Sequence, residues 1–318
     1  MKTKALLLSL LIGLTAISFS SCDDEEGDVE ATGISFAADT VVIAMEAAQE
    51  LEVIFEPDGS TADLTWTSSD PSVATVANGI VTGIGVGSTT IAASTGILNA
   101  TIVVTVTPKE VDVDDYPVLA GSNYYPISVD ESTYEVIADR VVNDLRVDDT
   151  NTFLYIWDNT FTAGTSSGLN YFGQAESWIS LVVGSVGWSG AGFNVAESYG
   201  NVDMTDFAAN PDDYYFHVAM KGDGDASYLF ILTDGVAEVK VNIGSSTFSD
   251  GGVDYPAYTD FARDNEWHSI EIPVSYLIEQ GLNFESTFTD KNVLAFLAGG
   301  TAGVKMEMDA IFYYKKAE

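Results

Sequence analysis

The sequence predicts an all-β protein built from two consecutive β-sandwich domains. Three observations lead to this prediction: short runs rich in Val, Ile and Thr alternate between apolar and polar residues, turns with Gly, Asn and Asp separate them, and helical periodicity is confined to one or two short segments. A chain of 318 residues, 46% of them hydrophobic, is long enough for two buried cores. We therefore expect a first sandwich over residues 31–107 and a larger second one over 108–318.

The charge balance is strongly acidic. The chain has 48 Asp and Glu against 12 Lys and Arg, a formal charge of −36. Long-range repulsion disfavours nucleic acid as a partner and leaves neutral ligands open.

The N-terminus has the pattern of a secretory signal over residues 1–21. Lys2 and Lys4 precede an apolar run that is too short for a membrane-spanning helix, and small residues lead to Cys22, the only cysteine. The end of this segment, Phe19-Ser20-Ser21-Cys22, resembles the lipobox of bacterial lipoproteins, although Phe stands where Leu is usual and Ser where Gly or Ala is usual. The resemblance implies that Cys22 is lipidated and attaches the chain to a membrane.

Residues 22–30 contain the acidic run Asp23-Asp24-Glu25-Glu26-Gly27-Asp28 and have no core-forming pattern, so we expect a solvated tether. The run resembles the export signal of surface-exposed lipoproteins in bacteria with starch-utilisation-type systems. This resemblance implies a lipid-anchored protein of the outer membrane, exposed at the cell surface, with an outer-membrane glycan transporter complex as a partner.

The first domain, residues 31–107, shows strand patterns at short intervals with turns such as Asp58-Gly59 and Asn78-Gly79. Within it, residues 64–95 resemble the bacterial immunoglobulin-like domain of group 2. The matching pieces are Trp66, the Ser-Ser-Asp-Pro turn at 68–71, Val73–Val76, Gly79–Gly83 and Gly87–Ile91. The resemblance implies an Ig-like β-sandwich that acts as a spacer more readily than as a binding domain.

The second domain, residues 108–318, begins with one helical pattern. Ser132-Thr133-Tyr134-Glu135 has the form of a capping box, and apolar spacing extends the predicted helix to about Arg146. About eight strands of even length follow and indicate a jelly roll or related sandwich. The predicted strands are 153–157, 178–183, 214–220, 228–233, 236–243, 267–272, 293–298 and 305–314, with a second short helix over 273–280.

Most of this segment resembles the jelly-roll carbohydrate-binding modules and a C-terminal domain of surface glycan-binding lipoproteins. The residues that carry the resemblance are 154–157, 168–173, 187–193, 266–273 and 308–315. It implies a non-catalytic domain that binds a polysaccharide or oligosaccharide through aromatic stacking.

The candidate ligand-binding residues centre on 157–193, which holds three of the five tryptophans among Gly, Ser, Asn and Thr. Flat rings among small polar residues suit a sugar site, because a pyranose offers a C–H face to a ring and hydroxyls to amides. Buried tryptophans of a sandwich core are the alternative. The candidates are Trp188 between glycine-rich flanks, Trp157 at a strand end, Trp178 at a strand start, Asn170 and Tyr171 in a Gly-bounded loop, and Tyr199.

A structural calcium ion is compatible with the resemblance, because many jelly-roll modules hold one with acidic residues of their first and last strands. Asp309 fits this role by resemblance and Asp158 by position, and the resemblance requires no other cofactor.

Catalytic motifs are scarce, with two histidines and no zinc-ligand spacing, but 48 acidic residues leave a paired-carboxylate glycosidase open. Our first hypothesis is a non-catalytic surface lipoprotein in a glycan-utilisation system. The alternative is a structural or adhesive protein that binds a protein partner, and a glycosidase or lyase is third.

Overall fold

The computed structural model describes residues 29–148, 150–184, 188–299 and 301–317. The predicted signal peptide (1–21), Cys22 and most of the predicted tether (22–30) lie outside these residues. Within the described ranges, no helix is both long and apolar enough to cross a membrane.

The first domain is a small β-sandwich of nine strands. Strands β2-β9-β8-β5 form a four-stranded sheet, β3-β7-β6 a three-stranded sheet and β1-β4 a two-stranded one. Alternate residues of these strands point inward, so that Ile43, Ile91, Ile102 and Val104 share one core against Trp66. The strands are β1 (Gly33–Phe36), β2 (Thr40–Ala44), β3 (Ala48–Glu50), β4 (Val53–Glu56), β5 (Thr65–Ser68), β6 (Ala74–Ala77), β7 (Ile80–Gly83), β8 (Gly87–Ser94) and β9 (Asn99–Thr107).

The second domain contains fourteen strands and three short α-helices in the part of the chain that the structure describes. The strands are β10 (Ser122–Ser128), β11 (Thr152–Ile156), β12 (Phe161–Ala163), β13 (Ile179–Val183), β14 (Ser189–Val195), β15 (Tyr214–Lys221), β16 (Tyr228–Thr233), β17 (Glu238–Ile243), β18 (Phe248–Asp250), β19 (Val253–Tyr255), β20 (Ala257–Thr259), β21 (His268–Pro273), β22 (Lys291–Ala298) and β23 (Lys305–Lys315). The helices are α1 (Glu131–Ile137), α2 (Asp206–Ala209) and α3 (Val274–Gln280).

Two six-stranded sheets pack face to face in this domain. The back sheet has the order β12-β13-β23-β15-β21, and β10 pairs with β23 beside β13; the front sheet has the order β11-β14-β22-β16-β17-β20. Apolar side chains from both sheets, among them Phe216, Phe230, Phe296 and Tyr313, fill the space between them. The architecture is a β-sandwich with orderly alternation of inward and outward residues.

The outer faces of the two sheets differ. The back sheet is covered by residues 111–141 and by the turn around Phe172, which pack on Ala310, Phe312 and Tyr314. The front sheet carries only a small outer cluster, formed by Leu229, Ile231, Ala295 and Leu297 with Trp157 and the β18–β19 hairpin. The outer face of the front sheet is therefore less covered than that of the back sheet and leaves room for a ligand.

The predicted all-β class with two successive sandwiches and short helices is confirmed. The first helix was predicted too long: α1 ends at Ile137, and a 3-10 turn continues only to Arg140. The chain then becomes extended because it pairs with β10, with backbone hydrogen bonds from Val142 N to Tyr124 O (2.8 Å) and from Leu145 N to Pro126 O (2.9 Å). Tertiary pairing overrides the helical spacing of 141–145.

Candidate functional site

A cleft of about 710 Å³ opens on the outer face of the front sheet. Its floor is formed by Ile231 and Leu297, which are mostly buried and belong to the outer apolar cluster. Trp157 and Trp188 line one part of the cleft, and residues 246–251, in and before the β18–β19 hairpin, line another. The cleft thus combines two large rings with a segment of small polar residues.

Trp157 packs closely against strand β14 because residue 190 is glycine. A Cβ atom at Gly190 would stand 2.2 Å from Cε3 of Trp157 and 2.9 Å from Cδ2 of Leu297. Gly190 pairs with Leu297 across the sheet, so the ring rests on the backbone of one strand beside an aliphatic side chain of the next. Tyr155 supports the ring from the same strand end, with a centroid distance of 5.9 Å. The position of the indole therefore depends on residue 190 having no side chain.

Trp188 directly precedes β14 and has 42% of its surface exposed. A ring of this size at that exposure leaves a large apolar area in contact with water, which binding of an apolar ligand face would cover. The structure brings Trp188 together with Trp157 in one cleft.

The hairpin is fixed to the sheet by a side chain from β17. Asn242 donates through Nδ2 to the carbonyl oxygens of Ser246 (2.8 Å) and Tyr255 (2.9 Å), which flank the hairpin on both sides. Phe248, the first residue of β18, is mostly buried in the outer cluster and packs the base of the hairpin on the floor. The exposed hydroxyl and carboxylate groups of this segment are thereby held in place over the cleft.

The cleft is lined by both apolar and polar groups, which suits an amphipathic ligand. Hydroxyls of Ser227, Ser246, Thr247 and Ser249 accompany the tryptophans, together with three charged groups, Asp225, Lys240 and Asp250. Rings that face a C–H surface and hydroxyls that exchange hydrogen bonds suit a sugar, because a pyranose has both kinds of surface.

Trp178 lies elsewhere. It stands at the start of β13 in the back sheet, is 9% exposed, and donates from Nε1 to Oε1 of Glu307 at 3.1 Å. Its ring packs edge-on against Trp267 at 5.4 Å, and Nζ of Lys221 lies 5.0 Å from its centroid. These contacts are those of a packed side chain, outside the cleft.

Asn170, Tyr171 and Tyr199 also lie away from the cleft. Asn170 is buried and donates from Nδ2 to Oδ2 of Asp130 at 2.6 Å, while its Oδ1 accepts from the backbone N–H of Gln174. Tyr171 packs under the cover of the back sheet, where burial raises the pKa of its hydroxyl. Tyr199 packs half-buried against the central core, and burial raises its pKa as well. The Gly-bounded loop of residues 168–173 therefore serves the back sheet.

An oxygen-rich cluster surrounds Asp309 where β23 changes its partner. β23 pairs with β13 up to Met308 and with β10 from Ile311 onward, and Ala310 between them has a φ of 51°. Asp309 is 2% exposed and accepts from the backbone N–H of Tyr171 at 2.9 Å. Burial, and secondarily the charge of Asp130, raise the pKa of Asp309 to about 7.

Asp130 and Gln174 are connected to each other through the side chain of Asn170. Burial raises the pKa of Asp130 to about 6, and Asn170 is its hydrogen-bonding partner. Gln174 is fully buried, and its Oε1 has no hydrogen-bonding partner in the structure. A buried oxygen without a donor is costly, so a cluster of two carboxylates and this amide oxygen has the donor set of a hard cation.

Asp158, the second predicted metal ligand, is exposed in the turn after β11 of the front sheet, whereas Asp309 lies within the back sheet. In the described ranges, no three side chains from His, Cys, Asp and Glu form a metal-binding group. Any site at Asp309 would therefore depend on amide or backbone oxygens in addition to carboxylates.

His217 does not offer catalytic chemistry. It is fully buried between the carbonyl oxygen of Ala310 (2.7 Å from Nδ1) and the hydroxyl of Ser269 (2.8 Å from Nε2), and its ring stacks on Phe312. Burial lowers its pKa to about 4, so the imidazole is neutral and contributes to packing.

The sequence prediction missed the hairpin half of the cleft. Phe248 stands in Gly-Ser-Ser-Thr-Phe-Ser-Asp-Gly-Gly, residues 244–252, where a ring is surrounded by small polar residues and glycines. An aromatic residue among glycines and small polar residues is the pattern that singled out Trp188. The same criterion, extended from tryptophan to phenylalanine, would have found this segment. Lys240 and Asp225 carry no such signal, because only the strand pairing brings them to the cleft.

The family 30 carbohydrate-binding module of a cellulosomal cellulase of Clostridium thermocellum is 16% identical over 52% of this chain and 87% of its own, with a TM-score of 0.30. A family 11 module of the same organism, in complex with a β-1,3-1,4-mixed-linked tetrasaccharide, is 12% identical over 54% of this chain and 94% of its own, with a TM-score of 0.29.

Domains 5–6 of the S-layer protein SbsC are 14% identical over 76% of this chain and 97% of their own, with a TM-score of 0.22. Likeness at this level does not assign a ligand. No curated protein sequence matches the chain. Residues 30–112 match the family model of the bacterial Ig-like domain (group 2), the family that residues 64–95 resemble in sequence.

Proposed function

We propose that this protein is a non-catalytic carbohydrate-binding protein that holds a polysaccharide or oligosaccharide in the cleft of the front sheet. The observation that carries the proposal is that Trp157, packed against Gly190, and the exposed Trp188 line one cleft together with a hairpin rich in hydroxyl groups. The other predicted candidates, Trp178, Asn170, Tyr171 and Tyr199, are not part of this proposed site.

Binding in such a cleft replaces contacts that the protein and the sugar make with water by contacts between the two. The rings cover the C–H face of a pyranose, which removes apolar area from water, while hydroxyls of Ser227, Ser246 and Ser249 replace water around the sugar hydroxyls. Each exchanged hydrogen bond contributes little net free energy, so selectivity depends on the fixed position of the rings. The described lining supplies no histidine and no cysteine, and we propose no reaction step.

We further propose that the protein is lipidated at Cys22 and displayed on the outer membrane as part of a glycan-utilisation system, with a transporter complex as partner. The lipobox-like sequence before Cys22 and the acidic residues after it support this proposal. The Ig-like domain would then serve as a spacer between the anchor and the binding domain. Protease digestion of intact cells tests the display: degradation is expected, and complete protection would contradict it.

The binding proposal is tested with a panel of polysaccharides and the soluble Cys22→Ser chain that lacks residues 1–21. We expect at least one polysaccharide to bind and Trp188→Ala to weaken it. Leu169→Ala is the matched control, because Leu169 is 38% exposed, close to the 42% of Trp188, and lies outside the cleft. Absence of binding to every polysaccharide would overturn the proposal and favour the alternative of a protein partner. Release of oligosaccharides from a bound polymer would favour a glycosidase or lyase.

We also propose a structural calcium ion at Asp309, held with Asp130 and Gln174 in place of the predicted Asp158. The unpartnered Oε1 of Gln174 and the two buried carboxyl groups fit a hard cation, which would tie the turn at 170–174 to β23. Calcium should raise the thermal unfolding temperature of the wild-type chain and leave that of Asp309→Asn unchanged. An equal response of both proteins would contradict this site.

A further inference from the structure

The charged groups of the cleft suggest which class of glycan it takes. Three ionisable side chains line it: Asp225, Lys240 and Asp250. Lys240 is the one cation among the described lining residues, so the state of its ammonium group decides whether the cleft can attract an acidic sugar.

Lys240 is already paired. Its Nζ lies 2.6 Å from Oδ2 of Asp250, and both side chains are about two-thirds or more buried, with exposures of 27% and 31%. Lys240 belongs to β17 of the front sheet and Asp250 to β18 of the hairpin, so the ion pair joins the floor to the hairpin. Its Nζ also lies 5.7 Å from the centroid of the Tyr255 ring at the end of β19. The ammonium is thus used to position the hairpin.

The remaining charge in the lining is negative. Asp225 accepts a hydrogen bond from the hydroxyl of Ser245 at 2.8 Å and has no cationic partner in the described part of the chain. The cleft therefore carries a formal charge of −1, within a chain of −36. A uronate or sulfate group entering it would meet like charge and find its only counter-charge occupied.

The other polar groups that reach the cleft are neutral. Ser227, Ser246, Thr247 and Ser249 contribute uncharged hydroxyls. The hydroxyls of Ser227 and Ser246 bond each other at 3.0 Å and that of Ser249 donates to Asp254, and each oxygen keeps a lone pair that can accept from a sugar hydroxyl. From these observations we propose that the cleft selects uncharged sugar chains over uronate-containing or sulfated ones, and that Lys240 is a positioning residue for the β18–β19 hairpin. This inference rests on the proposed carbohydrate-binding function.

The first test compares the affinities of the Cys22→Ser chain, with no further substitution, for neutral and acidic polysaccharides at low ionic strength. A neutral plant glucan or galactan and a polygalacturonate serve as probes. We expect the acidic polymer to bind at least about tenfold more weakly than a neutral polymer that binds, and added salt to narrow the difference. Equal or tighter binding of the acidic polymer would overturn the charge selection and leave carbohydrate binding intact. Binding of neither class would overturn the proposed function itself.

The second test removes the carboxylate that is paired with Lys240. Asp250→Asn removes the counter-charge in the cleft, so affinity for the acidic polymer should rise about fivefold or more, the order expected for one charge at short range in a solvated site. Glu238→Gln is the matched control, because it removes one negative charge from β17 of the same sheet, and Glu238 is exposed and does not line the cleft. Equal gains in the two variants would show that overall charge, and not the Lys240–Asp250 pair, sets the discrimination.

A third variant separates positioning from charge. Lys240→Met keeps most of the aliphatic length but removes the ammonium. Like Asp250→Asn it breaks the ion pair, so the hairpin should become more accessible to hydrogen exchange in both variants. The charge of the cleft becomes −2 in Lys240→Met, so affinity for the acidic polymer should fall, whereas it should rise in Asp250→Asn. Unchanged hydrogen exchange of the hairpin in both Lys240→Met and Asp250→Asn would contradict the positioning role of Lys240, and higher affinity of Lys240→Met for the acidic polymer would contradict the charge selection.

Discussion

Replacing Gly190 by alanine should weaken glycan binding through Trp157 without touching the ligand. The added Cβ would stand 2.2 Å and 2.8 Å from Cε3 and Cζ3 of Trp157. Carbon atoms pack at about 3.5–4.0 Å, so the ring has to lift or tilt by more than about 1 Å. Leu297 closes the other side, with its Cδ2 only 2.9 Å from the new methyl group, so the methyl cannot be accommodated by a shift toward β22.

The expected loss follows from the area of the ring that a sugar covers. If the sugar covers about 50 Å² of the indole, a fraction of the 150–250 Å² that an aromatic side chain can bury, the contribution is about 1.3 kcal/mol at about 25 cal/mol per Å². That free energy corresponds to about a tenfold increase in Kd. Overpacking also costs about 1–3 kcal/mol of folding stability, so thermal unfolding must accompany the binding measurement.

Isothermal titration calorimetry with a polysaccharide that the wild-type chain binds measures this effect. Gly222→Ala is the control, because Gly222 has an ordinary backbone conformation and no atom lies within 4 Å of a Cβ placed there. A double-mutant cycle with Trp157→Ala then isolates the cause, since Gly190→Ala should have no further effect once the ring is gone. Wild-type affinity in a folded Gly190→Ala protein would refute the reasoning, as would equal losses with and without Trp157.

Three further predictions concern groups outside the cleft. Trp178→Phe should leave glycan affinity unchanged but lower the free energy of unfolding by about 1–3 kcal/mol, because a mostly buried ring and its hydrogen bond to Glu307 are reduced, as urea denaturation would measure. In calcium-free solution, the contribution of Asp309 to stability should fall as pH rises from about 4 to about 7, because the folded state keeps a proton that the unfolded chain releases; Asp309→Asn should remove this slope. His217 has the opposite sign: its pKa of about 4 means that stability is lost as pH falls below about 6.5, and the loss should disappear in His217→Asn if that protein folds.

The fold could be predicted from the sequence where one residue pattern decides the structure. Strands such as β16 and β22 are long apolar runs between turns, and their predicted bounds differ from the structure by at most two residues. Strand β14 was missed because Ser189-Gly190-Ala191-Gly192 has weak strand propensity; it is a strand because β11 and β22 pair with it on both sides. Glycine at positions 190 and 192 leaves room for neighbouring rings, since a side chain at Gly190 would displace Trp157 and one at Gly192 would displace Tyr155.

The candidate site could be predicted only in part. Local composition singled out Trp157 and Trp188, and the structure places both in the cleft. The same composition also selected Asn170 and Tyr171, which face the cover of the back sheet, because a sequence does not show which sheet a loop covers. Lys240 became part of the site because β17 pairs with β16 and places it opposite Ile231. The Asp234-Gly235 turn is typical of such a hairpin, but it does not show which face of the sheet carries the cleft.

The measurement that tests the central claim most directly is the affinity of the Trp188→Ala chain for a neutral polysaccharide, beside the wild type and Leu169→Ala. We predict about a tenfold loss of affinity for Trp188→Ala, from the ring area estimate above, and none for Leu169→Ala. Equal affinity of all three proteins, each shown to be folded, would contradict the assignment of the cleft as the carbohydrate-binding site.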